Sequence, residues 1–119
     1  MIAITGSGEF LPSIKDVDNV LLSYIKDPYV LTLSTAAGQE KKDRQDYWED
    51  LANIHFKSLN VRHKHIKARN RNEIMNIEVL NEISESNFLY FSGGNPQYLF
   101  NSINNKQFID QLLRIKKDG

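Results

Sequence analysis

Along this chain the spacing of apolar residues changes repeatedly, and each change marks a predicted element. Ile2-Ala-Ile-Thr5 is a short β-favouring run broken by Gly6-Ser-Gly8, which reads as a buried strand entering a glycine turn. Val17, Val20, Leu21, Tyr24 and Ile25 fall on one helical face, and Asp27-Pro28 closes that helix. Tyr29-Val-Leu-Thr-Leu-Ser34 is an almost unbroken apolar run, the pattern of a strand covered on both faces, and it ends in Thr35-Ala-Ala-Gly38. The clearest periodicity runs from about Lys41 to Ser58, where Trp48, Leu51, Ala52, His55, Phe56 and Leu59 share a stripe.

A more polar third strand is expected within 60–67. Asn70, three residues before Glu73, has the spacing of a helix cap, and Ile74, Ile77, Leu80 and Ile83 continue that helix. Phe88-Leu-Tyr-Phe91 is the fourth strand and runs into Ser92-Gly-Gly-Asn-Pro96, where Asn95 can cap a short helix with Pro96 in its first turn. A last helix starts near Asn105, places Phe108, Ile109, Leu112 and Leu113 on one face, and stops at Gly119. Strands alternating with helices predict right-handed crossovers and a three-layer, doubly wound parallel sheet. About four strands is few for such a sheet, and the expected edge strand, Phe88 to Phe91, is apolar and prone to mispairing or self-association.

Composition narrows the function classes. A chain of 119 residues fits one domain, spanning 1–119, and 15 basic residues against 15 acidic ones offer no electrostatic argument for nucleic acid or an anionic membrane. The absence of cysteine removes disulfides, thiolate nucleophiles and thiolate metal sites. No basic segment followed by a long apolar stretch marks a signal peptide or membrane span, so the expected location is cytoplasmic.

Ligands of open parallel sheets sit beyond the carboxyl ends of the strands, where Gly6-Ser-Gly-Glu9, Thr35-Ala-Ala-Gly38 and Ser92-Gly-Gly-Asn95 are expected to gather. Gly6 and Gly8 begin a dinucleotide fingerprint, but Leu11 stands where its third glycine belongs and no acidic residue ends the second strand; a tight strand-to-helix turn explains the glycines better. Gly93 and Gly94 follow a strand and precede a capped helix, a setting in which backbone amides can face a developing oxyanion, although a double glycine also simply makes turns. His63 and His65 share a strand face, yet no further ligand has the spacing to complete a metal site. His55 lies on the apolar stripe of the long helix, as a satisfied histidine does, and the mixed charges of Glu40-Lys-Lys-Asp-Arg44 read as a solvated helix start. Ser7, Ser34 and Ser92 lie near strand ends, but none occupies a Gly-x-Ser-x-Gly elbow, and no Ser-His-Asp set is assignable.

Taken in order, Thr5-Gly-Ser-Gly-Glu-Phe10, Leu33-Ser-Thr-Ala-Ala-Gly38, the helix from Trp48 to Phe56 and Phe91-Ser-Gly-Gly-Asn-Pro-Gln-Tyr-Leu99 resemble the serine peptidases related to dipeptidase E and cyanophycinase. The resemblance covers essentially the whole chain and implies a class I glutamine amidotransferase-like fold. It also implies a hydrolase of peptide bonds whose serine lies in a Gly-x-Ser-Ala-Gly elbow after the next strand, followed by a histidine and an acidic partner. None of those segments is present, so the resemblance implies a domain truncated before its nucleophile and inactive alone. It carries over Gly93 and Gly94 as oxyanion-hole amides, with Asn95 and Gln97 shaping a peptide-substrate pocket, and it implies no cofactor and no metal. The alternative is a small flavodoxin-like module that binds a nucleotide or a protein partner through the same loops; a decayed gene product is a third reading.

Overall fold

The computed structural model describes residues 1–118. Gly119, expected as a helix stop, lies outside them. Three strands, β1 (Tyr29–Leu33), β2 (Arg62–Ile66) and β3 (Phe88–Phe91), form a parallel sheet in the order β2-β1-β3. Val30 faces His63 of β2 on one side and Phe88 of β3 on the other, which leaves both β2 and β3 at edges of the ladder. Every residue of central β1 is buried, as its unbroken apolar run predicts.

Helices cover both faces. On one face α1 (Lys15–Ser23) and α2 (Lys42–Ser58) pack Leu22, Trp48, Ala52 and Phe56 onto Val30 and Tyr90. On the other, α3 (Arg71–Ile74), α4 (Ile77–Glu85), α5 (Pro96–Ile103) and α6 (Lys106–Asp118) pack Ile74, Ile83, Ile103 and Phe108 onto Leu31, Leu33 and Ile66. Alternate residues of β1 therefore serve two separate cores.

Four expectations need correction. The expected strand Ile2 to Thr5 does not join the ladder, so three strands are paired where about four are expected. Residues 1–7 are all exposed, and an extended segment with neither a second neighbour nor covered side chains cannot offset its ordering entropy. The buried face of α1 is not the expected one. Asp18 and Leu22, aligned with Ile14 just before the helix, point inward, while Val17, Val20 and Tyr24 face solvent.

The helix expected to run on from Glu73 to Ile83 is broken at Met75-Asn76. Asn76 caps α4 by accepting from the Glu78 N–H at 2.9 Å, so a local side-chain bond competes with continuous helix. In α6 the inward line is Phe108, Leu112 and Ile115, and Leu113 is exposed. The other caps are where the spacing puts them: Asn70 accepts from Glu73 N–H, and Asn95 from Tyr98 N–H.

Candidate functional site

All three small-residue loops lie at the carboxyl ends of the strands, and direct contacts tie them together. The Asn95 N–H donates to Ala36 O at 2.8 Å, joining the loop after β3 to the turn after β1. Thr35 Oγ1 donates to Ala68 O, Arg69 Nε to Gly38 O, and the Tyr98 hydroxyl to Arg69 O, joining the loop after β2 to both. The first loop reaches the same place, because the Glu9 carboxylate abuts Gly93, 3.3 Å from where a Cβ would stand.

Two glycines are required by this convergence. A Cβ on Gly38 would fall 2.0 Å from Arg69 O. One on Gly94 would fall 2.4 Å from Ala36 O, and Gly94 also has φ of 154°. Gly93 is half-buried and Gly94 exposed, and among the described residues neither N–H has a hydrogen-bond partner. Both donors are thus free at the rim.

The other candidates are engaged within the protein. Asn95 caps α5, and Gln97 Nε2 donates to Asn101 Oδ1 on the same helix at 3.1 Å. Ser92 is buried and donates to Leu33 O, Ser34 is buried and donates to Gln45, and Ser7 stands exposed. His63 and His65 both meet the Thr32 hydroxyl, at 2.8 and 2.7 Å.

That contact belongs to a polar relay which only the fold assembles. Gln45 uses both amide hydrogens on backbone carbonyls of Ser34 and Ala37, so its Oε1 must accept the Ser34 proton, at 2.7 Å. Ser34 Oγ then accepts from His65 Nε2 at 3.1 Å, which leaves His65 Nδ1 bare to accept from Thr32. Thr32 in turn accepts from His63 Nε2. Both histidines are therefore neutral Nε2–H tautomers. Burial, reinforced for His63 by His65 and for His65 by Lys67, pushes each ring down to about 4. The relay runs from the sheet interior to Ala37 and fixes the turn on which Gly94 and Asn95 rest.

A second buried cluster holds the first loop. His55 Nε2 lies 2.7 Å from Asp18 Oδ2, both side chains almost fully buried between α1 and α2. Burial raises the Asp18 carboxyl above its usual range, opposed by His55. Phe10, with φ of 64°, inserts its ring beside His55, Trp48, Phe56 and Tyr90. A left-handed backbone at a bulky residue costs on the order of 1–3 kcal/mol, so this packing outweighs the strain. Asp18 Oδ1, Trp48 Nε1 and the Tyr90 hydroxyl are buried there without a hydrogen-bond partner. Burial, with the negative charges of Asp18 and Glu9, raises the Tyr90 hydroxyl.

Nothing in the spacing singles out Asp18, Gln45 or Glu9. A polar residue among polar neighbours at a helix start looks solvated, and only the packing reveals otherwise. Two open hollows of about 430 and 750 Å³ lie beside β2, and neither is lined by a residue of the glycine loops. Among the described residues no helix is long and apolar enough to cross a membrane.

No protein-family model matches the sequence, and no curated protein does. Among solved structures, a peptidase from an acI-B1 Actinobacterium superposes with a TM-score of 0.86 at 28% identity. The match covers 97% of this chain and 49% of that one. The chain has a peptidase's fold. It spans about half the length of the peptidase it matches.

Proposed function

We infer that the chain is the first half of a serine-type peptidase domain of the dipeptidase E and cyanophycinase kind, with a class I glutamine amidotransferase-like architecture. In this reading it contributes scaffold and oxyanion-hole amides and does not hydrolyse peptides alone. One observation carries the reading: two glycine N–H groups without internal partners, Gly93 and Gly94, stand at the strand-end rim of a chain that superposes on a peptidase.

Such amides stabilise negative charge on a substrate carbonyl oxygen, and their rigidity follows from Gly94 being wedged over Ala36 and from Asn95 bonding to Ala36 O. Asn95 and Gln97 act in this reading by holding the loop and the start of α5. The buried hydroxyls of Ser34 and Ser92 are already donating, and Ser34 meets His65 only by accepting from its Nε2, so that histidine does not act on it as a base. Removing nucleophile and base from such a site leaves only weak residual catalysis.

The test is hydrolysis of a panel of dipeptides by the purified chain. The expected result is no release of free amino acid above buffer, and turnover at ordinary enzymatic rates overturns the reading. A parallel thermal-shift titration with nucleotides and flavins is expected to leave Tm unchanged, because a ligand of the folded state alone must raise it.

A further inference from the structure

The N-terminal segment follows a definite path. The Met1 amino group donates to Lys116 O near the end of α6. Helix α6 runs antiparallel to β3, since Phe108 in its first turn packs on Phe91 while Arg114 donates to Ser86 O just before the strand begins. Lys116 therefore lies near the start of β3. Further along the segment, Glu9 abuts Gly93 beyond the strand's end. Residues 1–9 thus run beside β3 in the parallel direction, in the position of a fourth strand, without forming its ladder.

The apolar side chains of this segment are uncovered. Ile2 is 69% exposed and Ile4 93% exposed. On the helices covering the two faces, Val17 and Val20 of α1, Tyr24 just after it and Leu113 of α6 are exposed as well. Scattered exposed apolar residues are ordinary. Here, however, α1 carries a full helical stripe of them, and the extended segment beside β3 carries two isoleucines.

We propose that the outer side of Ile2–Thr5 is the docking surface for the complementary half of the domain. That occupant supplies a parallel, apolar β-strand, which locks residues 2–5 into the sheet between itself and β3. The inference rests on the peptidase-like reading, because the matched peptidase carries about as much chain again outside the matched region. Main-chain hydrogen bonds to a free edge give such a strand its affinity, and the alternating side chains give register.

The test mixes the purified chain with the portion of the actinobacterial peptidase that lies outside the match. Mass is read by sedimentation and exchange of the Ile2 to Thr5 amides by hydrogen–deuterium exchange. The expected result is a one-to-one complex in which those amides slow by roughly tenfold or more. Ile4→Asp should abolish the complex and Lys64→Asp, on the opposite edge, should leave it intact. Ile4 is nearly fully exposed, so its variant folds as the parent does.

No complex, a complex indifferent to Ile4→Asp, or amides already protected in the lone chain each overturns the proposal. So does a homodimer of the lone chain that buries residues 2–5, because a second copy is then the occupant. A complex that forms but hydrolyses no peptide upholds the surface and removes the hydrolase reading. Absence of a complex removes the surface and leaves the rim amides standing.

Discussion

The two edges of this sheet are built on opposite principles. The β2 edge is charged. Arg62 lies 3.8 Å over the Tyr29 ring, Lys64 pairs with Glu82, and Lys67, just past the strand, pairs with Asp46 and Glu49. Inward from that edge, the two histidines are consumed by the relay through Thr32, Ser34 and Gln45. Charges and lysines along an edge discourage further pairing, so β2 reads as a true boundary of the fold. The β3 side carries Phe88, Leu89 and Phe91, and among the described residues what runs along its outer edge is an unladdered segment with two exposed isoleucines. An edge without such protection is suited to the interior of a larger sheet.

Acid should produce the largest separation between the two sides. In the folded protein His65 and His63 are held at about 4, against 6.5 in the unfolded chain. Between those values the unfolded state binds more protons. The contribution to stability is complete above about pH 6.5 and is lost as the pH falls towards 4. Its size is about 3 kcal/mol for buried His65 and less for half-buried His63. The raised Asp18 carboxyl works the other way and offsets part of the loss. Urea midpoints from pH 7 to 4.5 should fall steeply, and His65→Asn should flatten the slope. An unchanged slope would mean the relay is not formed.

Next in size is Gln45→Leu, which strips the buried Ser34 hydroxyl of its acceptor and removes the second donor from the Ser34 and Ala37 carbonyls, each of which keeps a backbone N–H. The expected loss is about 2 kcal/mol by chemical denaturation, from a buried donor left unsatisfied. On the β3 side, Gly94→Ala should destabilise by about 1–3 kcal/mol through its backbone conformation and its overlap with Ala36. Gly93→Ala, which meets only the flexible end of Glu9, should be close to neutral. Equal effects at the two glycines would contradict the rim geometry.

The smallest expected effect concerns the open side. Ile4→Lys should leave the stability of the lone chain within about 0.5 kcal/mol, since the side chain contacts little. It should nevertheless reduce self-association measured by light scattering. Lys64→Val, which removes a charge from the guarded edge, should increase it. If both variants associate alike, the contrast between the edges has no physical content.

Much of this was legible in the amino-acid order. Leu31 and Leu33 announce a strand buried on both faces. The stripe from Trp48 to Phe56 fixes the inward side of α2, and Asn70 and Asn95 fix two helix starts, because caps and periodicities are local and the local chain decides them. The α1 stripe misled for a physical reason. Periodicity identifies an apolar face but not whether anything covers it, and here the inward face is marked by Asp18, whose partner His55 comes thirty-seven residues later.

The sequence by itself determined the order of the three paired strands and the helices between them, the small-residue turns after β1 and β3 and the contrast between a charged and an apolar edge strand. Tertiary structure alone decided which residues share the rim, that Gly94 rests on Ala36, that Gln45 orients two histidines through Ser34 and Thr32, and that residues 2–5 stay unpaired. The division has a simple cause. Propensity and period act over a few neighbouring residues, whereas a hydrogen bond between Thr32 and His65, or a strand awaiting a second neighbour, depends on which distant segments the fold brings together.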